Sequence, residues 1–124
     1  MTIIPILTRA RSEQVDITAE VQRVVDESGL REGIAALQSL HTTAGLTINE
    51  NADPDVQRDL TAKMDALVPE RETYYRHAEG NSDSHVKTSL FGPSLIVLVT
   101  DGRLVLGTWQ GVYFCEWDGP REEV

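Results

Sequence analysis

The feature that most constrains this chain is the run Ser94 to Thr100, followed by Asp101-Gly102 and then by Arg103 to Thr108. Asp-Gly between two strand-like arms is the sequence of a two-residue type I′ turn, because both turn positions need positive φ. An antiparallel hairpin is therefore expected in the last third. Directly after it, Gln110 to Trp117 alternates, with Tyr113, Cys115 and Trp117 on one face and Val112 and Phe114 on the other. Residues 3–7 predict a short strand with Pro5 near an edge, Gln14 to Thr18 a second extended piece, and Gly33 to His41 a short buried strand.

Two helices divide the rest. Thr18 is expected to cap a helix running to about Ser28, with Val21, Val24 and Val25 at helical spacing and Gly29 as its stop. Asp53 is expected to cap the second, with Pro54 in its first position and Asp55 suited to the positive end of the dipole. Val56, Leu60, Met64 and Leu67 mark its apolar face, and Pro69 ends it. The pattern is α+β: one compact domain, residues 1–124, mostly antiparallel strands with two main helices. Between Pro69 and Ser89 about twenty residues lack clear periodicity, and loops that long usually carry function.

Composition narrows the function classes. Eleven basic against twenty acidic residues give a net charge of −9, and the basic residues are scattered. Nucleic-acid backbones and anionic membranes bind clustered Lys and Arg, so neither partner is expected. The longest apolar run, Leu95 to Val99, is far short of the ~20 residues that a membrane-spanning helix needs. Met1 to Arg9 lacks the basic lead and long apolar stretch of a secretory signal, and the single cysteine, Cys115, fits a reducing compartment. A cytoplasmic protein is expected. Cys115, alternating with aromatics, reads as core, and Gly111 reads as a bulge or a close approach.

The chemistry-bearing residues are few. His77 and His85 lie in the irregular stretch, eight apart, and would share a face if extended; His41 ends an apolar run. Three imidazoles suit an open site for zinc or a related ion, with Asp83 as a fourth ligand or as a group orienting a histidine. Ordinary hydrogen-bonded or surface histidines fit the same spacing. Glu50 is placed to act as general base, metal ligand or helix cap. Lys87 is either a phosphate-binding cation or a solvated strand charge, and Arg121, after Asp118-Gly-Pro, either a bidentate phosphate ligand or a surface arginine.

His41-Thr-Thr-Ala-Gly45, Asn49-Glu50-Asn51, Asp53-Pro54, the segment His77 to Lys87, Gly107-Thr-Trp-Gln110 and Asp118-Gly-Pro-Arg121 occur in that order from about Val15 to Arg121. Together they resemble the YjbQ-like family, often described as secondary thiamine-phosphate synthases. The resemblance implies a homotrimer with sites near subunit boundaries. It also implies a low-level reaction joining a pyrimidine-methyl diphosphate to a thiazole phosphate with release of diphosphate. A divalent metal, zinc or magnesium, held by His41, His77 and His85, with Lys87 and Arg121, would then stabilise the leaving charge. Glu50 or Asp83 would handle protons. The alternative is a trimer that holds a metal or small anion without turning it over. One departure stands out: the family often has a basic residue where this chain has Glu123.

Overall fold

The computed structural model describes residues 1–123. In chain order the elements are β1 (Ile6–Leu7), β2 (Glu13–Asp16), α1 (Thr18–Ser28), β3 (Gly33–Gln38), β4 (Ala44–Glu50), α2 (Pro54–Leu67), α3 (Ser82–Phe91), β5 (Ser94–Thr100), β6 (Arg103–Leu104), β7 (Gln110–Glu116) and β8 (Glu122–Glu123). Asp101 and Gly102 have φ of 53° and 74°, so the hairpin turn has the expected hand. Its second arm is short, ending at Leu104. The sheets run β3-β5-β6 and β2-β7-β4, all antiparallel, and β1 pairs with β8.

β7 organises the molecule. Val112 and Phe114 face one core, with Ile17, Val21, Ala44, Leu46 and Val97. Tyr113, Cys115 and Trp117 face another, with Met64, Val68 and the flanking Phe91. The alternation read in the sequence therefore sorts side chains into two cores, not into core and solvent. Gly111 to Trp117 are buried throughout because the β3-β5-β6 layer covers one face and α2 and α3 the other. Gly111 is a close approach: a Cβ there would sit 2.8 Å from Asn51 Nδ2.

α2 begins as expected, with the Asp53 side chain accepting from the Asp55 amide and Pro54 in the first turn. Its buried face differs at the end. Leu67 is 63% exposed, and Val68, in the cap, takes its place in the core. α1 stops at Gly29, which is left-handed at φ 75°. Thr18, however, is its first helical residue and not its cap. Asp16 Oδ1 accepts from the Thr18 amide and hydroxyl, and Thr18 Oγ1 accepts from the Val112 amide, tying the helix start to β7.

Two further expectations are corrected. β3 is not buried: Ile34 is 54% exposed, as are Ile96 (63%) and Leu98 (59%) across the pairing Ile34↔Leu98 and Ala36↔Ile96. The outer face of this sheet is an uncovered apolar surface. Residues Pro69 to Ser89 are not one long loop either, since their second half forms most of α3. This third helix escapes apolar patterning because its buried side chains are Asp83, Ser84, Lys87 and Thr88, which keep helical spacing but are polar.

Candidate functional site at the amino end of α3

α3 is seated on charge. Asp83, fully buried, accepts from Arg11 Nη2 at 3.0 Å and Arg11 Nη1 at 3.1 Å, a two-pronged pair. Lys87, one turn on and 1% exposed, donates to Asp83 Oδ2 at 3.1 Å and to Asp65 of α2 at 2.7 Å. Its Nζ lies 5.3 Å from the centre of the Trp117 ring. Burial alone would push the Asp83 carboxyl up. The bonds from Arg11 and Lys87 outweigh it and hold the group below the usual carboxylate range. Asp83 in turn raises the Arg11 pKa.

A second buried pair closes the carboxyl end of β7. Glu116, fully buried, accepts from Arg121 Nη2 at 3.0 Å and Nε at 3.2 Å, and from Thr8 Oγ1 at 3.0 Å. Arg121 also reaches Thr43 Oγ1, so Thr43 of the His41-Thr-Thr turn is fastened to the Asp-Gly-Pro-Arg turn. Asn81, just before α3, donates to Asp118 Oδ2 at 2.8 Å, and Ser84 Oγ donates to the Trp117 carbonyl at 2.6 Å. Three of the motif segments thus converge at one corner, the turn after β3, the amino end of α3 and the turn after β7, while Asn49-Glu50-Asn51 and Gly107-Thr-Trp-Gln110 meet at the other end of β4 and β7.

The histidines divide. His77 and His85 meet edge to face, 5.3 Å between ring centres and 87° between planes. The contact makes the two imidazoles immediate neighbours at this corner. The extended face imagined for His77 and His85 is replaced by a loop residue against a helical one. His41 instead lines a separate apolar cavity. Among the described residues no three His, Cys, Asp or Glu side chains come together as a metal set.

Glu50 ends β4 opposite Gln110, whereas Ala44, at the other end, pairs with Glu116. Six residues of strand, roughly 20 Å, separate Glu50 from the Arg121 corner. Its carbonyl accepts from Gln57 Nε2 and from the Tyr113 hydroxyl. Asp83 and Lys87 face each other inside the protein, so neither the orienting carboxylate nor the solvated strand charge read from the sequence describes them. Arg121, with 30% of its side chain exposed, grips Glu116 through Nε and Nη2. Sequence reasoning passes over Arg11, Asp65 and Glu116. A basic residue in the bend before β2, an acidic residue on the exposed side of α2 and one ending an apolar strand carry no periodic signal, and only the fold reveals their partners Asp83, Lys87 and Arg121.

Such a fold, with a central strand between two cores and a polar-seated helix at its motif-bearing corner, defines a small α+β domain with a shared-motif site. Residues 2–124 match the family described as UPF0047 protein YjbQ-like. The chain belongs to that family. It is 52% identical to UPF0047 protein YugU of Bacillus subtilis over 116 residues, covering 94% of this chain and 88% of that one. A UPF0047 protein of Methanocaldococcus jannaschii is 48% identical, with coverage of 94% and 83%. The crystal structure of an uncharacterized YjbQ/UPF0047 protein from Clostridium acetobutylicum is similar at a TM-score of 0.94 and 48% identity, covering 97% of this chain and 92% of that one.

Proposed function

We propose that this chain works as a homo-oligomer that holds a divalent metal at the His77–His85 pair and binds a phosphorylated small molecule beside it. The observation that carries the reading is the contact of the two imidazoles at 5.3 Å on the corner where three of the motif segments meet. The ion would supply charge for a departing or bound phosphate, in a reaction of the thiamine-phosphate-synthase type that the family resemblance implies. A second phosphate contact would come from Arg121, in the role that the family resemblance implies for it. The remaining metal positions fall to solvent, to the substrate or to a second copy of the chain.

Self-association is supported by the outer face of β3-β5-β6. Ile34, Ile96, Leu98 and Val105 are each more than half exposed on it, and contiguous apolar surface of this kind usually marks an interface. A trimer, as the resemblance implies, would bury this face. Glu50 would then join the His77–His85 pair only from a neighbouring copy.

A second reading, binding without turnover, is favoured by one observation. The acidic and basic side chains best placed for proton transfer, Asp83 and Lys87, are both buried against one another.

The test is elemental analysis of tag-free protein purified without chelators, on wild type, His77→Ala and His85→Ala. About one transition metal per chain, lost in both variants while folding is retained, supports the site. Absence of metal in all three, with none taken up on titration, overturns it. With metal present, conversion of a phosphorylated substrate that is lost in His85→Ala separates catalysis from storage.

A further inference from the structure

His41 is the motif histidine that the metal corner does not use. It lines a cavity of about 570 Å³ between the amino-terminal residues, α1 and the two main sheets. That volume is within the range of about 300–1,000 Å³ typical of small-molecule sites. The cavity reaches into the core itself. Ile17, Leu46 and Phe114, each 4% exposed, contribute to its lining, with Val25 from α1 and Ile4 near the chain start. Its mouth is formed by exposed residues, Ile3, Leu40 and Ile96 among them, and a slender apolar molecule can pass from there to the buried end.

The wall carries few polar groups. Ser39 Oγ already donates to the Ala44 carbonyl at 2.8 Å and accepts from the His41 amide at 3.3 Å. The His41 imidazole differs: its Nε2 is enclosed and has no hydrogen-bond partner. An enclosed polar atom without a partner costs stability, on the order of 1–3 kcal/mol, unless something satisfies it. A half-turn of the ring exchanges Nε2 with Cε1, and this torsion is broad and two-fold, so the nitrogen can change the direction it faces.

We infer that this cavity is a second binding site, for an apolar small molecule with one hydrogen-bonding end that the His41 imidazole receives. The apolar lining takes the tail by burial, and the imidazole, which can donate or accept, fixes the orientation of the head. The inference does not depend on the metal reading, because neither His77 nor His85 lines this cavity.

The probe is decan-1-ol, titrated into the isotopically labelled wild-type chain and followed by methyl and amide NMR. Saturable shifts at Val25, Leu46 and Phe114 are expected. His41→Leu should weaken binding about tenfold, the effect of one lost hydrogen bond. Val24→Trp, at a half-buried position on the same wall, should block it. Absence of saturable shifts in the wild type overturns the site. Shifts confined to Ile34 and Leu98, which do not line the cavity, also overturn it, since they would mark adsorption on the exposed sheet. Equal affinity in His41→Leu rejects the role of the imidazole.

Discussion

Lys87 and Asp83 lie one turn apart on the same helix and bond to each other at 3.1 Å with side chains 1% and 0% exposed. Two charges removed from water at that spacing hold α3 against Trp117, and each depends on the other. Breaking a buried pair by deleting one member leaves an uncompensated charge and typically costs about 3–5 kcal/mol. Lys87→Met is expected to destabilise by less than that, because Arg11 still holds the Asp83 carboxylate. Asp83→Asn should do more damage, because Arg11 and Lys87 then both lose their carboxylate. Urea unfolding of the two variants beside wild type checks the order, and near-wild-type stability in either contradicts the assignment.

The same carboxylate sets an acid limit. Its folded-state pKa lies below the ordinary value, so the stabilisation is complete above about pH 4, the unfolded carboxylate range, and is lost as pH falls through the lower folded value. Wild type should lose stability on acidification in that range, and Asp83→Asn, less stable throughout, should show a shallower loss. Denaturant midpoints measured from about pH 6 down to about pH 3 give the two slopes. Parallel slopes would mean that another group governs the acid limb.

Glycine spacing offers a cleaner contrast. A Cβ on Gly111 would meet the Asn51 side chain at 2.8 to 3.1 Å, while one on Gly45 would meet the Gly92 carbonyl oxygen at 2.8 Å. Gly111→Ala should destabilise and be largely rescued by Asn51→Ala, which withdraws the colliding atoms. Gly45→Ala has no such remedy, since the obstacle is backbone. Thermal melts of the single and double variants test this, and a non-additive rescue is the expected signature.

The exposed sheet makes a prediction about size. Ile96→Glu places a charge at the centre of the uncovered apolar face, opposite Ala36. A wild-type oligomer should fall to single chains of 13.8 kDa in the variant, with circular dichroism unchanged. Light scattering coupled to size exclusion reads the mass. A variant that keeps the wild-type mass would move the interface elsewhere.

What the sequence makes legible follows from which groups face inward. α2 can be read because Val56, Leu60 and Met64 follow the helical repeat between an Asp cap and a proline, and the two faces of β7 can be read because both are apolar. α3 cannot, since its seat is made of Asp83, Ser84, Lys87 and Thr88, whose partners come from Arg11, Asp65 and Trp117 far along the chain. The site is partly legible for the same reason. His77 and His85 are close in sequence and meet in space, whereas the separation of His41 and Glu50 from them depends on the direction of β4 and on the turn after β3. Local spacing carries no record of either.

The two tryptophans occupy opposite environments, Trp117 wholly enclosed and Trp109 62% exposed. Trp117 sits under α3, touching Phe91 edge to face with ring centres 5.1 Å apart. Trp109 is already in water. The chain therefore carries its own optical label for the helical layer: if α2 and α3 lift from the sheet while the other core persists, the change in indole emission comes from one ring alone. Loosening at the motif-bearing corner can be timed by fluorescence, without any dye.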